Sequence, residues 1–137
     1  MDQVSLRDYC DEASSLIQSG EFDKAIAITR HILRHYPRHV ASYRLLGQAL
    51  LKVGNHQEAA RQFWRVLGAD PEDVTSRIGL ATVYEAAGDL DKAVWQMQRA
   101  VDLSPGDSNL RWRLQRLNGI RQGQTAEPLE ITRAALG

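Results

Sequence analysis

Gly20-Glu-Phe-Asp-Lys-Ala25, Gly54-Asn-His-Gln-Glu-Ala59 and Gly88-Asp-Leu-Asp-Lys-Ala93 are one motif written three times, thirty-four residues apart. Twelve residues after each alanine stands a proline: Pro37, Pro71 and Pro105. Self-similarity at a fixed period of this length marks an array whose units bury their apolar faces only against neighbours. The units run 6–39, 40–73 and 74–107, and residues 108–121 carry the first half of the pattern again.

Outward from the motif, the spacing of apolar residues is helical. Tyr43, Leu46, Leu50 and Val53 precede the second glycine along one stripe, and Ala59, Phe63, Val66 and Leu67 follow it along another. Each unit therefore reads as two helices. The glycines stand where the first helix must end with a positive φ. The prolines stand where the second cannot continue. Asp73, Asp107 and His39 fall at the N-caps of the helices that come next, where an aspartate accepts orphan N–H bonds. Small residues recur at the eighth place of each unit (Ala13, Gly47, Ala81) and the twentieth (Ala25, Ala59, Ala93), so helices are expected to cross closely there.

In these residues the sequence resembles the tetratricopeptide repeat family. Unit two supplies Tyr43, Leu46, Gly47, Leu50, Ala59, Phe63, Val66 and Pro71. Unit three supplies Leu80, Ala81, Tyr84, Ala93, Met97, Ala100 and Pro105, with Arg77 in place of the leading aromatic. Unit one keeps Tyr9, Ala13, Leu16, Ala25 and Pro37, while Glu12 and Thr29 depart from the pattern. The resemblance covers 6–121 and implies an all-α, right-handed solenoid of helix-turn-helix repeats over 1–121, closed by a helix at 108–121.

It also implies a concave groove lined by the first helix of each unit, and with it a noncatalytic scaffold holding a peptide or helical segment of another protein. Its groove positions fall on Arg44, Gln48 and Lys52, on Ile78 and Thr82, and on Trp112 and Arg116, with Arg113 beside them. Guanidinium forks suit an acidic segment, and Ile78 and Trp112 offer apolar contact. Relatives that clamp the terminal carboxylate of chaperone tails use lysines, asparagines and an arginine. The matching places here are Cys10, Ser14, Leu45, Thr75 and Gly79, which cannot supply that pattern. Two other classes stay open: a regulatory or docking arm of a larger enzyme, and a self-assembly module with stacking end faces.

Composition sets the outer bounds. The chain has 137 residues, room for one domain, with 17 basic and 17 acidic side chains and 43% hydrophobic residues. A neutral total argues against a dedicated nucleic-acid binder. The basic stretch Arg30–His39 lacks the interleaved aromatics that stack bases. One cysteine, Cys10, allows no internal disulfide, and its neighbours Asp11 and Glu12 disfavour a thiolate. With no apolar run long enough to span a membrane, a cytoplasmic setting is expected. His31 and His35 are one helical turn apart, but nothing completes a metal site, and neither a phosphate loop nor any other cofactor motif occurs. Neither an enzyme nor a cofactor is expected. Trp64 and Trp95, on second helices, read as packing residues.

The C-terminal stretch has its own reading. Gln122–Glu127 reads as a polar linker, and Leu136-Gly137 matches Leu46-Gly47, so a further repeat is expected to begin at Glu130. Such a half-repeat, with Ile131, Ala134 and Leu136 on one face, is expected to dock in a groove of its own chain or a neighbour's.

Overall fold

A computed structural model describes residues 5–125 as seven α-helices: α1 (Leu6–Gln18), α2 (Phe22–His35), α3 (Val40–Lys52), α4 (His56–Ala69), α5 (Val74–Ala86), α6 (Leu90–Leu103) and α7 (Ser108–Thr125). The odd helices begin at 6, 40, 74 and 108 and the even ones at 22, 56 and 90. The period of the glycines is thus the period of the backbone. One boundary differs from expectation. α7 runs past 121 through the first four residues of the expected linker, because glutamines favour a helix and no proline intervenes. The expected repeat start at Glu130 and the docking tail lie outside the described residues.

The turn inside a unit has one construction. At the end of α3, the N–H of Gly54 donates to Leu51 C=O (3.1 Å) and that of Asn55 to Leu50 C=O (2.9 Å). This double closure requires a left-handed residue, and Gly54 has φ +85°. Gly20 and Gly88 repeat the pattern at +83° and +79°. The residue after the glycine then opens the next helix. The side chains of Asn55 and Asp89 accept the N–H groups of Glu58 and Lys92. Glu21 makes no such bond and instead accepts from Ser19 and Lys24.

Between units, Asp73 accepts the N–H of Ser76, and Asp107 those of Asn109 and Leu110. His39 caps α3 without a side-chain bond to the backbone and turns Nδ1 to Ser42 Oγ at 2.7 Å. A further link recurs at the fourth place of a unit. Tyr43 Oη donates to Pro37 C=O (2.6 Å), Arg77 Nη2 to Pro71 C=O (3.3 Å) and Arg111 Nη1 to Pro105 C=O. An arginine can therefore replace the aromatic of the pattern, since the shared requirement is a donor that reaches the turn carbonyl six residues back. The other odd residue, Thr29, is fully buried and donates its hydroxyl to Ala25 and Ile26 C=O of its own helix.

The helices form two layers. Each packs on the next in sequence, and in addition α1 packs on α3 and α3 on α5. Among the described residues no two even helices come within backbone packing range. From α1 to α5 the odd layer is therefore the tight one, and the curve is concave on its side; α5 and α7 do not come within that range. Two apolar clusters fill the space between layers, one around Leu46, Leu50, Phe63, Leu67 and Leu80, the other around Leu90, Val94, Met97, Leu110 and Leu117. Both cross a unit boundary, as stacking requires. The small residues at the eighth and twentieth places are all buried.

Candidate interaction groove

The concave face holds a cavity of about 570 Å³. α3 contributes Gln48, Leu51 and Lys52, α5 contributes Thr75, Ile78, Gly79 and Thr82, and Ile17 and Arg113 stand at the two ends. Its floor is Phe63 of α4, which threads between α3 and α5. That passage depends on two absent methyl groups. A Cβ on Gly47 would stand 2.8 Å from Phe63 Cε1, and one on Gly79 would overlap the same ring. The ring is fully buried although it lines the cavity, so its contribution is shape rather than a free face.

The expected groove residues divide into two groups. Gln48, Lys52, Ile78 and Thr82 line the cavity. Arg44, Trp112 and Arg116 do not. Arg44 reaches the N-cap of α5, where Nη2 and Nε meet Asp73 Oδ1 at 2.7 and 2.9 Å. The other oxygen of Asp73 accepts from the Ser76 N–H (2.9 Å) and hydroxyl (2.7 Å). Burial opposes ionisation of Asp73, but the bonds from Arg44 and Ser76 outweigh it and hold its pKa below the usual aspartate range. Arg116 reaches from α7 to α5 and grips both oxygens of Glu85 at 2.9 Å. That grip lowers the pKa of Glu85 and raises that of Arg116. Trp112 stands at the open end, 60% exposed.

The arginine-rich end is thus partly neutralised within the chain, and its other hydrogen bonds go to neutral oxygens. Arg111 donates to Pro105, Arg116 to Glu85 and Arg121 to Asn118, and Arg121 also lies 3.6 Å from Asp91. Arg113 makes only a long bond to Thr82 Oγ1, 3.5 Å. Among the described residues, neither Lys52 nor Arg113 forms an ion pair. These two cations, at opposite ends of an apolar floor, are the charge the groove presents. Sequence reasoning missed Leu51, His56 and Phe63 in the lining: Phe63 read as core, and Leu51 and His56 fall outside the positions the resemblance assigns to the groove.

The remaining candidates sit elsewhere. His31 stacks against Tyr9 (5.5 Å) and edge-on to His35 (4.8 Å). Cys10 Sγ lies 4.0 Å from both His39 Nδ1 and Ser42 Oγ. Trp64 and Trp95 are 45% and 56% exposed, which corrects their reading as packing residues. The even layer is open enough to leave them at the surface. No helix among the described residues is long and apolar enough to cross a membrane.

Comparison with known proteins places this geometry. A family model described as tetratricopeptide repeat matches residues 10–64 and 45–108. An N-terminal acetyltransferase A complex subunit-like protein of Schizosaccharomyces pombe is 25% identical over 100 residues, 73% of this chain and 14% of that protein. The human protein O-mannosyl-transferase TMTC3 is 30% identical over 95 residues, 69% of this chain and 10% of that protein. The chain thus spans no more than a seventh of these curated relatives. Among solved structures, MamA of Desulfovibrio magneticus RS-1 is similar with a TM-score of 0.78 and 23% identity, covering 88% of this chain and 68% of that one. The TPR domain of Arabidopsis OM64 gives 0.75 and 16%, covering 80% and 90%. At these identities the likeness concerns the fold.

Proposed function

This chain belongs to the tetratricopeptide repeat family, and on that premise we propose that it is a noncatalytic scaffold that holds an extended segment of another protein in its concave groove. The observation that carries the reading is the cavity itself, floored by Leu51, Phe63 and Ile78 and flanked by Lys52 and Arg113. An apolar side chain of the ligand fills the space over Phe63. A carboxylate of the ligand meets Lys52 or Arg113, neither of which forms an ion pair among the described residues. Gln48 and Thr82 give the ligand backbone polar contacts. Arg44 and Arg116 act one step back, holding α3 to α5 and α5 to α7 so that the cavity keeps its width. The single cysteine is compatible with a reducing compartment such as the cytoplasm.

A displayed library of random peptides tests this. The native chain is expected to enrich sequences with an acidic residue near an apolar one. The double variant Lys52→Glu/Arg113→Glu is expected to lose the part of that set held by the groove. An unchanged enriched set in the double variant overturns the groove reading.

A second reading rests on the relatives. Both curated ones are many times longer than this chain, and their names describe an acetyltransferase complex subunit and a transferase. The repeats would then be the docking arm of an enzyme. A catalytic domain in frame with them in the full transcript is the expected finding, and a reading frame of repeats alone sinks the idea.

A further inference from the structure

On the side of the molecule opposite the groove, α4 and α6 do not close against each other, and a furrow of about 230 Å³ lies between them. Trp64 and Trp95 form its walls, with Tyr84, Lys92 and Gln96 completing the lining. Both indoles are about half exposed, an unusual concentration of aromatic surface for a protein face that meets only water.

The charges beside the furrow are unbalanced. Arg77 is 7% exposed, yet its partners are the neutral oxygens of Gln96 (3.0 Å) and Pro71 (3.3 Å), and its Nε has no partner. Its guanidinium lies over the Trp95 ring at 5.6 Å, and that of Arg99 lies over the same ring at 5.9 Å. Among the described residues neither arginine has an ion pair. Burial, and after it the like charge of Arg99, push the Arg77 pKa down. Lys92 lies over the ring of Tyr84 at 5.6 Å and is paired with Asp89 at 3.6 Å, so it adds no unbalanced charge. Two cations that share one ring, one of them buried and without an anion, stand in an energetically unfavourable arrangement that a carboxylate would relieve.

We propose that this outer furrow is a second docking site, taking an acidic segment of a partner protein whose carboxylate pairs with Arg99 over Trp95 and whose neighbouring apolar side chain lies between Trp64 and Trp95. The carboxylate there also enters the field of Arg77, whose own polar atoms remain with Gln96 and Pro71. Charge complementarity selects the occupant: a basic segment meets two cations without an ion pair, Arg77 and Arg99, and a neutral one leaves Arg77 as it is.

The test is a nitrogen-15 NMR titration of the full chain with two capped peptides, Glu-Glu-Leu-Glu-Glu and Lys-Lys-Leu-Lys-Lys. The acidic peptide is expected to shift the Trp64 and Trp95 indole N–H signals to saturation, and the basic one to leave them in place. Arg99→Glu, an exposed substitution that leaves the core untouched, is expected to weaken binding about tenfold or more, the loss of one charge-assisted contact. Lys52→Glu, in the groove, is expected to leave the indole shifts unchanged. Equal shifts from both peptides, shifts confined to the surroundings of Lys52 and Arg113, no shift, or full affinity in Arg99→Glu would each overturn the proposal. The second of those results would support the groove while removing the furrow.

Discussion

At position 79 a methyl group would meet the ring of Phe63, and no flexible chain end is there to yield. Gly79→Ala is therefore expected to destabilise the protein by about 1–3 kcal/mol, the usual cost of overpacking, and to tilt the floor of the cavity. Chemical denaturation measures the first effect and peptide affinity the second. Asp73 offers a test with a pH signature. Its native pKa lies below its unfolded value, so its stabilisation is present in full above the ordinary aspartate range, about pH 4, and is lost as pH falls through the depressed native value. Asp73→Ala is expected to cost about 1–2 kcal/mol at pH 7, as for a lost N-cap, and progressively less below pH 4. A cost that does not change with pH would remove Arg44 and Ser76 from the explanation. These residues show what the sequence could not disclose. The resemblance assigned Arg44 and Arg116 to the groove, and periodicity tells only which face of a helix a residue occupies. It does not tell that Asp73 and Glu85, 29 and 31 residues away, end within reach of their guanidiniums.

Among elements, the turns were the most legible part of the fold, because each rests on one backbone requirement. Gly54 has open space around its Cα, so any cost of substituting it comes from φ rather than from contact. Gly54→Ala is expected to lose about 1–2 kcal/mol, the penalty of a left-handed L-residue. Gly119 is its counterpart: it sits exposed within α7, also with open space, but in a helical conformation. Gly119→Ala is expected to stabilise by about 0.5–1 kcal/mol. Thermal unfolding of the two variants should shift in opposite directions, and a shared direction would contradict the assignment of both sites. The length of α7 was less legible. Its continuation to Thr125 depends on the lack of any stop signal, and the stretch from Gln122 reads as a polar linker. The tryptophans on α4 and α6 were misread for a related reason: a stripe at helical spacing gives the direction of a side chain, and the distance to the next even helix decides whether that direction is covered.

For the molecule as a whole, the arrangement of contacts sets the order of unfolding. Each helix leans on its neighbours along the stack, and α1 and α7 are flanked on one side only among the described residues. Amide exchange is expected to be slowest in α3, α4 and α5 and fastest in α1 and α7. Uniform protection from end to end would mean that the array behaves as one unit instead. The two-layer packing carries a mechanical consequence as well. From α1 to α5 alternate helices approach one another in the odd layer, while the even layer is joined across its gaps by side chains such as Arg30 and Glu58, an exposed ion pair worth at most about 1 kcal/mol. Bending is therefore easier than stretching: the odd layer acts as a hinge line, and the even helices fan apart or together about it. Curvature sets the width of the cavity on one side and of the furrow on the other, in opposite senses. A segment wedged into either face thus resists one direction of flexing, and the chain works as a leaf spring whose stiffness depends on what it holds.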